Sequence, residues 1–147
     1  MSRQHIPILL AEDNPSDVFL VRRALEMHKI AHELTVAADG EAAMHLVADL
    51  DSRKALPLPA LILLDLNLPR GESSDILRQL RSSQCCRTVP VIVLSSSDSQ
   101  HDRDAALQAG ATHFFHKPTN LADFMTLGAI VHTILAEANR SMAESSL

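Results

Sequence analysis

Five short apolar runs constrain this chain more than any other feature: IPILLA (6–11), ELTVAA (33–38), ALILLD (60–65), PVIVLS (90–95) and THFFHK (112–117). The first, third and fourth show no polar alternation. A strand with one wet face alternates, whereas a strand covered on both faces of a parallel sheet reads as a continuous apolar run. Helical patterns fill the gaps. Asn14 suits an N-cap and Pro15 the first helical position, where its missing N–H is not needed, and Val18, Val21 and Leu25 recur at helical spacing. The Asp39-Gly40 turn precedes EAAMHLVADL, with Ala43, Leu46, Val47 and Leu50 on one face. Ile76, Leu77 and Leu80 mark a third helix, and Ala105, Ala106 and Ala109 a fourth, closed by Gly110 as a C-cap. A last helix is expected from about Asn120 to about Glu137.

Five β-α repeats predict an α/β fold with helices on both faces of the sheet and right-handed crossovers. The doubly wound, flavodoxin-like order 2-1-3-4-5 uses five strands and fits a (βα)5 chain. The segment 48–60 reads as a long connection into the third strand, with Pro57 and Pro59 marking loop. No internal repeat or composition shift divides the chain. The expectation is a single domain over 1–147, with its core at about 6–137 and a short tail at 138–147. A chain of 147 residues is long enough to bury a core without disulfides or metal.

Composition narrows the classes. Apolar residues make up 46% and charged residues 21%, which excludes a disordered chain. A net charge of −5 gives the wrong electrostatic sign for general affinity to nucleic acid or anionic membrane. The adjacent Cys85 and Cys86 supply neither a disulfide framework nor a zinc site, and they read as thiols in a reducing compartment. The N-terminal apolar run is too short for a signal peptide. No stretch is judged to approach the roughly 20 apolar residues that span a bilayer. The expectation is a soluble, cytoplasmic protein.

The polar residues at the carboxyl ends of the runs carry the chemistry: Glu12 and Asp13 after the first, Asp65 after the third, Ser95 after the fourth and Lys117 after the fifth. In open α/β sheets, ligands bind outside those ends, so these residues converge. Singly, each has a plain reading as a turn residue, a cap or a solvated charge. Together they are harder to dismiss. Carboxylates about 4 Å apart repel by up to roughly 4 kcal/mol at an effective dielectric of 20, so three at one edge call for a cation. Hard oxygen ligands suit Mg²⁺, and a hydroxyl and an ammonium beside it suit a phosphoryl group.

On these motifs the sequence resembles the response-regulator receiver domains of two-component signalling. AEDN (11–14) matches the family's acidic pair, LILLDLNLP (61–69) its phosphoacceptor strand, VIVLS (91–95) its hydroxyl strand and AGATHFFHKP (109–118) its Lys-Pro motif. The resemblance covers roughly residues 6–137. It implies that Asp65 accepts a phosphoryl group from a sensor histidine kinase, and that Glu12, Asp13, Asp65 and the backbone carbonyl of Asn67 hold Mg²⁺. It also implies that Ser95 and Lys117 contact the phosphoryl oxygens and that Ser95 and Phe114 act as switch residues. Such a regulator catalyses only its own phosphorylation and dephosphorylation. The long connection before the third strand and the short tail resemble stand-alone receivers paired with bacterial phytochrome-type kinases.

Two departures stand out: the first acid is Glu12 rather than Asp, and RGESSDIL brings Gly71 earlier than the family's Asp-Gly, which suggests a different loop path. Rival readings fit less well. A haloacid-dehalogenase-like phosphatase needs Asp-x-Asp after its first strand, where this chain has Glu12-Asp13-Asn14. A flavodoxin-like electron carrier uses aromatic residues around its flavin, and Trp and Tyr are absent.

For output, a homodimer or a partner-binding face is expected on the fifth strand and last helix. At about 100° per residue, Leu121, Phe124, Gly128, Val131 and Leu135 form a core-facing stripe, and Leu127, Ile130 and Ile134 a second arc open to a partner.

Overall fold

The computed structural model describes residues 5–53 and 57–145. Its elements alternate along the chain: β1 (Ile6–Ala11), α1 (Pro15–Met27), β2 (His32–Ala37), α2 (Gly40–Arg53), β3 (Leu61–Asp65), α3 (Ser73–Ser82), β4 (Val91–Ser95), α4 (Gln100–Gln108), β5 (His113–His116), α5 (Leu121–Phe124) and α6 (Thr126–Ser145). The strands form one sheet in the order β2-β1-β3-β4-β5, with every pairing parallel. The predicted flavodoxin-like order is the observed one, and each apolar run lies within one residue of its strand.

Strand burial follows position in the sheet. β3 and β4 are buried at every residue, and central β3 alternates its side chains between two cores. Ile62 and Leu64 join Val47, Ile76, Leu77, Leu80 and Ala106 on the side of α2, α3 and α4. Leu61 and Leu63 join Val21, Leu25, Phe124, Leu127 and Val131 on the side of α1, α5 and α6. Each fully buried aliphatic side chain contributes roughly 1.5–3 kcal/mol relative to exposure. On β5 the neighbours Phe114 and Phe115 are both buried, on opposite sides of the sheet. The Phe115 ring meets Phe124 edge-on at 5.9 Å, and the Arg103 guanidinium lies 5.2 Å from the Phe114 ring centre. The edge strand β2 is mostly exposed or half-buried, as a strand paired on one side only can be.

The cap of α1 is as expected, whereas α4 is capped by Ala109, one residue before the expected Gly110. Asn14 accepts a hydrogen bond from Ser16 N at 2.9 Å with Pro15 at the first helical position, and Gly110 turns with φ +118 after α4.

Five expectations need correction. The helix α2 runs on to Arg53, so the first part of the 48–60 connection is helical. The last helix reaches Ser145 rather than Glu137, because its helical bonding continues through the stretch assigned to a tail. It is also interrupted at Met125, which caps α5 before α6 begins. A single helical wheel started at Leu121 misplaced the two residues at the margins of its core stripe. Leu121 is 58% exposed instead of core-facing, and Leu127 is fully buried in the α1 core instead of open to a partner. Ile130 and Ile134 are half-buried against the same core, which takes in part of the second arc. Finally, Leu121–Arg140 has a mean hydropathy of 1.4, which makes it long and apolar enough, by length and composition alone, to cross a membrane. In this fold Phe124, Leu127 and Val131 of that stretch pack against α1 and the sheet, and the rest of its apolar content is partly exposed.

Candidate functional site

The parallel sheet delivers the ends of β1, β3, β4 and β5 to one edge, because all four strands run the same way and their registers are matched. Ala11 pairs with Leu64, Asp65 with Leu94 and Ser95 with His116. Glu12 and Asp13 follow β1 directly, Asp65 ends β3, Ser95 ends β4 and Lys117 follows β5. Carboxylate oxygens of Glu12, Asp13 and Asp65 lie within 4.8 Å of one another. Glu12 and Asp65 are buried and Asp13 is exposed, so the cluster opens to solvent on one side.

Lys117 closes the site. Its ammonium lies 3.1 Å from Glu12 Oε2 and 3.6 Å from Asp65 Oδ2. Burial pushes the Glu12 carboxyl up to about 7, helped by the Asp65 charge and opposed by Lys117. For Lys117, burial disfavours the charge, but the Asp17 hydrogen bond and the Asp65 and Glu12 charges outweigh it and hold the ammonium above its ordinary range. One ammonium therefore leaves the acids under-compensated. The donor set of three carboxylates, two of them buried, fits a hard divalent cation such as Mg²⁺.

The remaining residues named from sequence fall around this centre. Ser95 is fully buried, and its Oγ accepts from Ser97 N at 3.0 Å. Its carbonyl accepts from Lys117 N at 2.6 Å, which ties the β4 end to the lysine. Asn67 N donates to Asp65 Oδ1 at 3.1 Å, so the backbone after β3 folds over the central acid. Phe114 lies back along β5, paired with Val93, and is buried against the α2–α4 core. Leu127, Ile130 and Ile134 belong to the opposite core and take no part in the site.

Two participants escaped the sequence reading. Asp17 Oδ2 lies 2.8 Å from Lys117 Nζ, the shortest of its ion pairs. The only hint was an acid one helical turn beyond AEDN. Ser73 is buried, and its Oγ lies 2.7 Å from the Asp65 carbonyl and 2.8 Å from that of Leu66. It pins the chain where strand becomes loop. In the loop after β3, Arg70 (φ +55) adopts a left-handed turn, and Gly71 (φ +153) lies against Gly40. A Cβ on Gly40 would come within 2.7 Å of Gly71 Cα, so this contact requires glycine on the α2 side. Gly40 N donates to the Pro69 carbonyl at 2.9 Å, bracing the loop on the start of α2.

A parallel (βα)5 sheet with clustered acids, a hydroxyl and a lysine at its carboxyl edge has the chemistry to hold a divalent cation and a phosphoryl group together. Residues 8–127 match the response regulator receiver domain, and the chain belongs to that family. Among curated relatives it is 34% identical over 120 residues to the response regulator Rcp1 of Synechocystis sp. (strain ATCC 27184 / PCC 6803 / Kazusa), covering 82% of each chain. Among solved structures it resembles the phosphorylated cyanobacterial phytochrome response regulator RcpA, with a TM-score of 0.81 and 30% identity over 91% of this chain and 96% of that one. It also resembles the Mn²⁺-bound form of Rcp1, with a TM-score of 0.73 and 33% identity over 84% and 88% of the two chains.

Proposed function

We propose that Asp65 accepts a phosphoryl group from the phosphohistidine of a sensor kinase, and that the resulting change in the β4 and β5 ends is the signal. The observation that carries this reading is the convergence of Glu12, Asp13 and Asp65 within 4.8 Å, with Lys117 held 3.6 Å from Asp65. An Asp65 carboxylate oxygen attacks phosphorus in line, the P–N bond breaks, and the imidazole leaves with the electron pair. Such a transfer needs positioning and charge stabilisation more than covalent help. Ser73 and Asn67 fix the end of β3 and so orient the nucleophile. Lys117 offers an N–H to a phosphoryl oxygen, and the Ser95 hydroxyl offers a second once it turns from Ser97. Glu12, Asp13, Asp65 and the Asn67 carbonyl would hold Mg²⁺, which when bound supplies the positive charge that lets the acids and a phosphoryl dianion share the pocket. The protein catalyses only its own phosphorylation and dephosphorylation.

The kinship with Rcp1 and RcpA favours a phytochrome-type kinase as partner, and two adjacent cysteines with no disulfide framework favour the reducing cytoplasm. The partly exposed Ile130 and Ile134 on α6 support an output face that a second copy of this chain would cover. Incubation with Mg²⁺ and a small phosphodonor, followed by mass spectrometry, should place the group on Asp65, and Asp65→Asn should abolish it. Equal labelling of that variant would refute the assignment. Sedimentation of wild type and Ile130→Glu, before and after phosphorylation, tests the dimer. A wild type that stays monomeric in both states removes it.

A further inference from the structure

We propose that Asp17 is a positioning residue that holds the Lys117 ammonium back from Asp65 in the resting protein and gives it up when a phosphoryl group arrives. This rests on Asp65 being the phosphoacceptor. An ammonium has three N–H donors and no acceptor, so its place in a pocket is set by which oxygens it can reach. Asp17 Oδ2 at 2.8 Å and Glu12 Oε2 at 3.1 Å are both within hydrogen-bond distance, whereas Asp65 Oδ2 at 3.6 Å is not. Lys117 is thus anchored toward the start of α1 rather than on the acid that reacts.

An acid in the first turn of α1 has an ordinary explanation, the favourable field of a helix N-terminus. That field accounts for an acid at position 17 but not for its 2.8 Å contact with a lysine from the far end of the sheet. Both partners are shielded from solvent, at 12% exposure for Lys117 and 22% for Asp17, so the pair is screened less than a surface ion pair would be. A contraction of only ~0.7 Å would bring Nζ into hydrogen-bond range of Asp65. A phosphoryl group on Asp65 presents charged acceptor oxygens to the same ammonium and competes directly with Asp17. The strength of the Asp17 contact therefore sets how much the lysine favours the phosphorylated state over the resting one.

The test compares wild type with Asp17→Asn, Asp17→Ala and the conservative Asp17→Glu. Crystal structures without phosphodonor give the Nζ–Asp65 distance, titration with beryllofluoride in saturating Mg²⁺ gives the affinity for a phosphoryl mimic, and thermal unfolding checks the fold. In the Asn and Ala variants the ammonium should close on Asp65, and beryllofluoride should bind about tenfold tighter, because a charge-assisted contact is redirected to the ligand. Asp17→Glu should restore wild-type affinity, since its longer arm still reaches Nζ. An ammonium that stays in place, affinities within twofold of wild type, or tighter binding without movement of Nζ would each overturn the role. If only the Ala variant unfolds early, the isosteric Asn variant decides. A wild type that takes no phosphoryl group would instead overturn the phosphoacceptor reading, and the crystallographic distance would still decide what Asp17 does.

Discussion

Glu12 carries a charge that its surroundings resist. It is 1% exposed, and its carboxyl is pushed from 4.5 to about 7. An acid whose folded pKa lies above its unfolded value binds protons more tightly when folded, so its contribution to stability falls as pH rises between about 4.5 and about 7 and is constant above that. Without metal, urea unfolding across this window should show Glu12→Gln gaining on wild type as pH rises, with the advantage levelling off above about pH 7. The same residue should make Mg²⁺ binding weaker on the acid side of about pH 7, because the cation must displace a proton. Isothermal titration at pH 6 and pH 8, in buffers of differing ionisation heat, would reveal that proton release. A pH-independent affinity would contradict it. Glu12, Asp65, Ser95 and Lys117 were legible in sequence because each directly ends or follows an apolar run. Asp17 and Ser73 were not: one meets a lysine 100 residues away and the other caps carbonyls through a loop, and neither distance is written in local pattern.

The helices show where periodicity succeeds and where it fails. In α3, Ile76, Leu77 and Leu80 are buried as their spacing implied. In the last helix the wheel misplaced Leu121 and Leu127, because Leu121 opens the helix where little covers it and Leu127 lies only about 40° round from buried Val131, at the margin of the core stripe rather than on a separate arc. The α1–α6 contact depends on a position that periodicity ranks as merely apolar. A Cβ added at Gly128 would overlap the His28 ring and the Ala24 carbonyl, so only glycine lets the two helices approach this closely. His28 Nε2 lies 3.1 Å from the Met125 carbonyl at the interruption, which fixes the helices in register. Gly128→Ala should therefore destabilise the fold by about 1–3 kcal/mol, the usual range for overpacking, despite alanine's better helix propensity. Chemical denaturation measures this, and a stabilised variant would show that α6 is loosely seated.

For the molecule as a whole, the two cores are built from apolar side chains on both faces of the sheet and none of the three acids belongs to them, so folding should not depend on a metal. Chelator should leave the far-UV circular dichroism unchanged, and Mg²⁺ should raise the melting temperature with concentration by mass action. Loss of helical signal in chelator would mean that the acids cannot be held together without a cation. The strand order was legible because short βα units permit few alternatives, and AEDN, LILLDLNLP, VIVLS and the Lys-Pro motif resemble one family. The reach of α6 to Ser145 was not, since ANRSMAES has no strong apolar stripe to announce a helix.

The alternation of β3 has a consequence for how the protein tolerates change. Its side chains send Ile62 and Leu64 to one compartment and Leu61 and Leu63 to the other, so the sheet acts as a bulkhead between two separately packed halves. Damage on one side has no direct route across. Val21→Ala and Ile76→Val, one in each half, should have unfolding penalties that sum to within about 0.5 kcal/mol in the double variant. A lineage can then reshape the helices facing one partner while those facing another keep their fit, even where sequence neighbours such as Phe114 and Phe115 answer to different compartments.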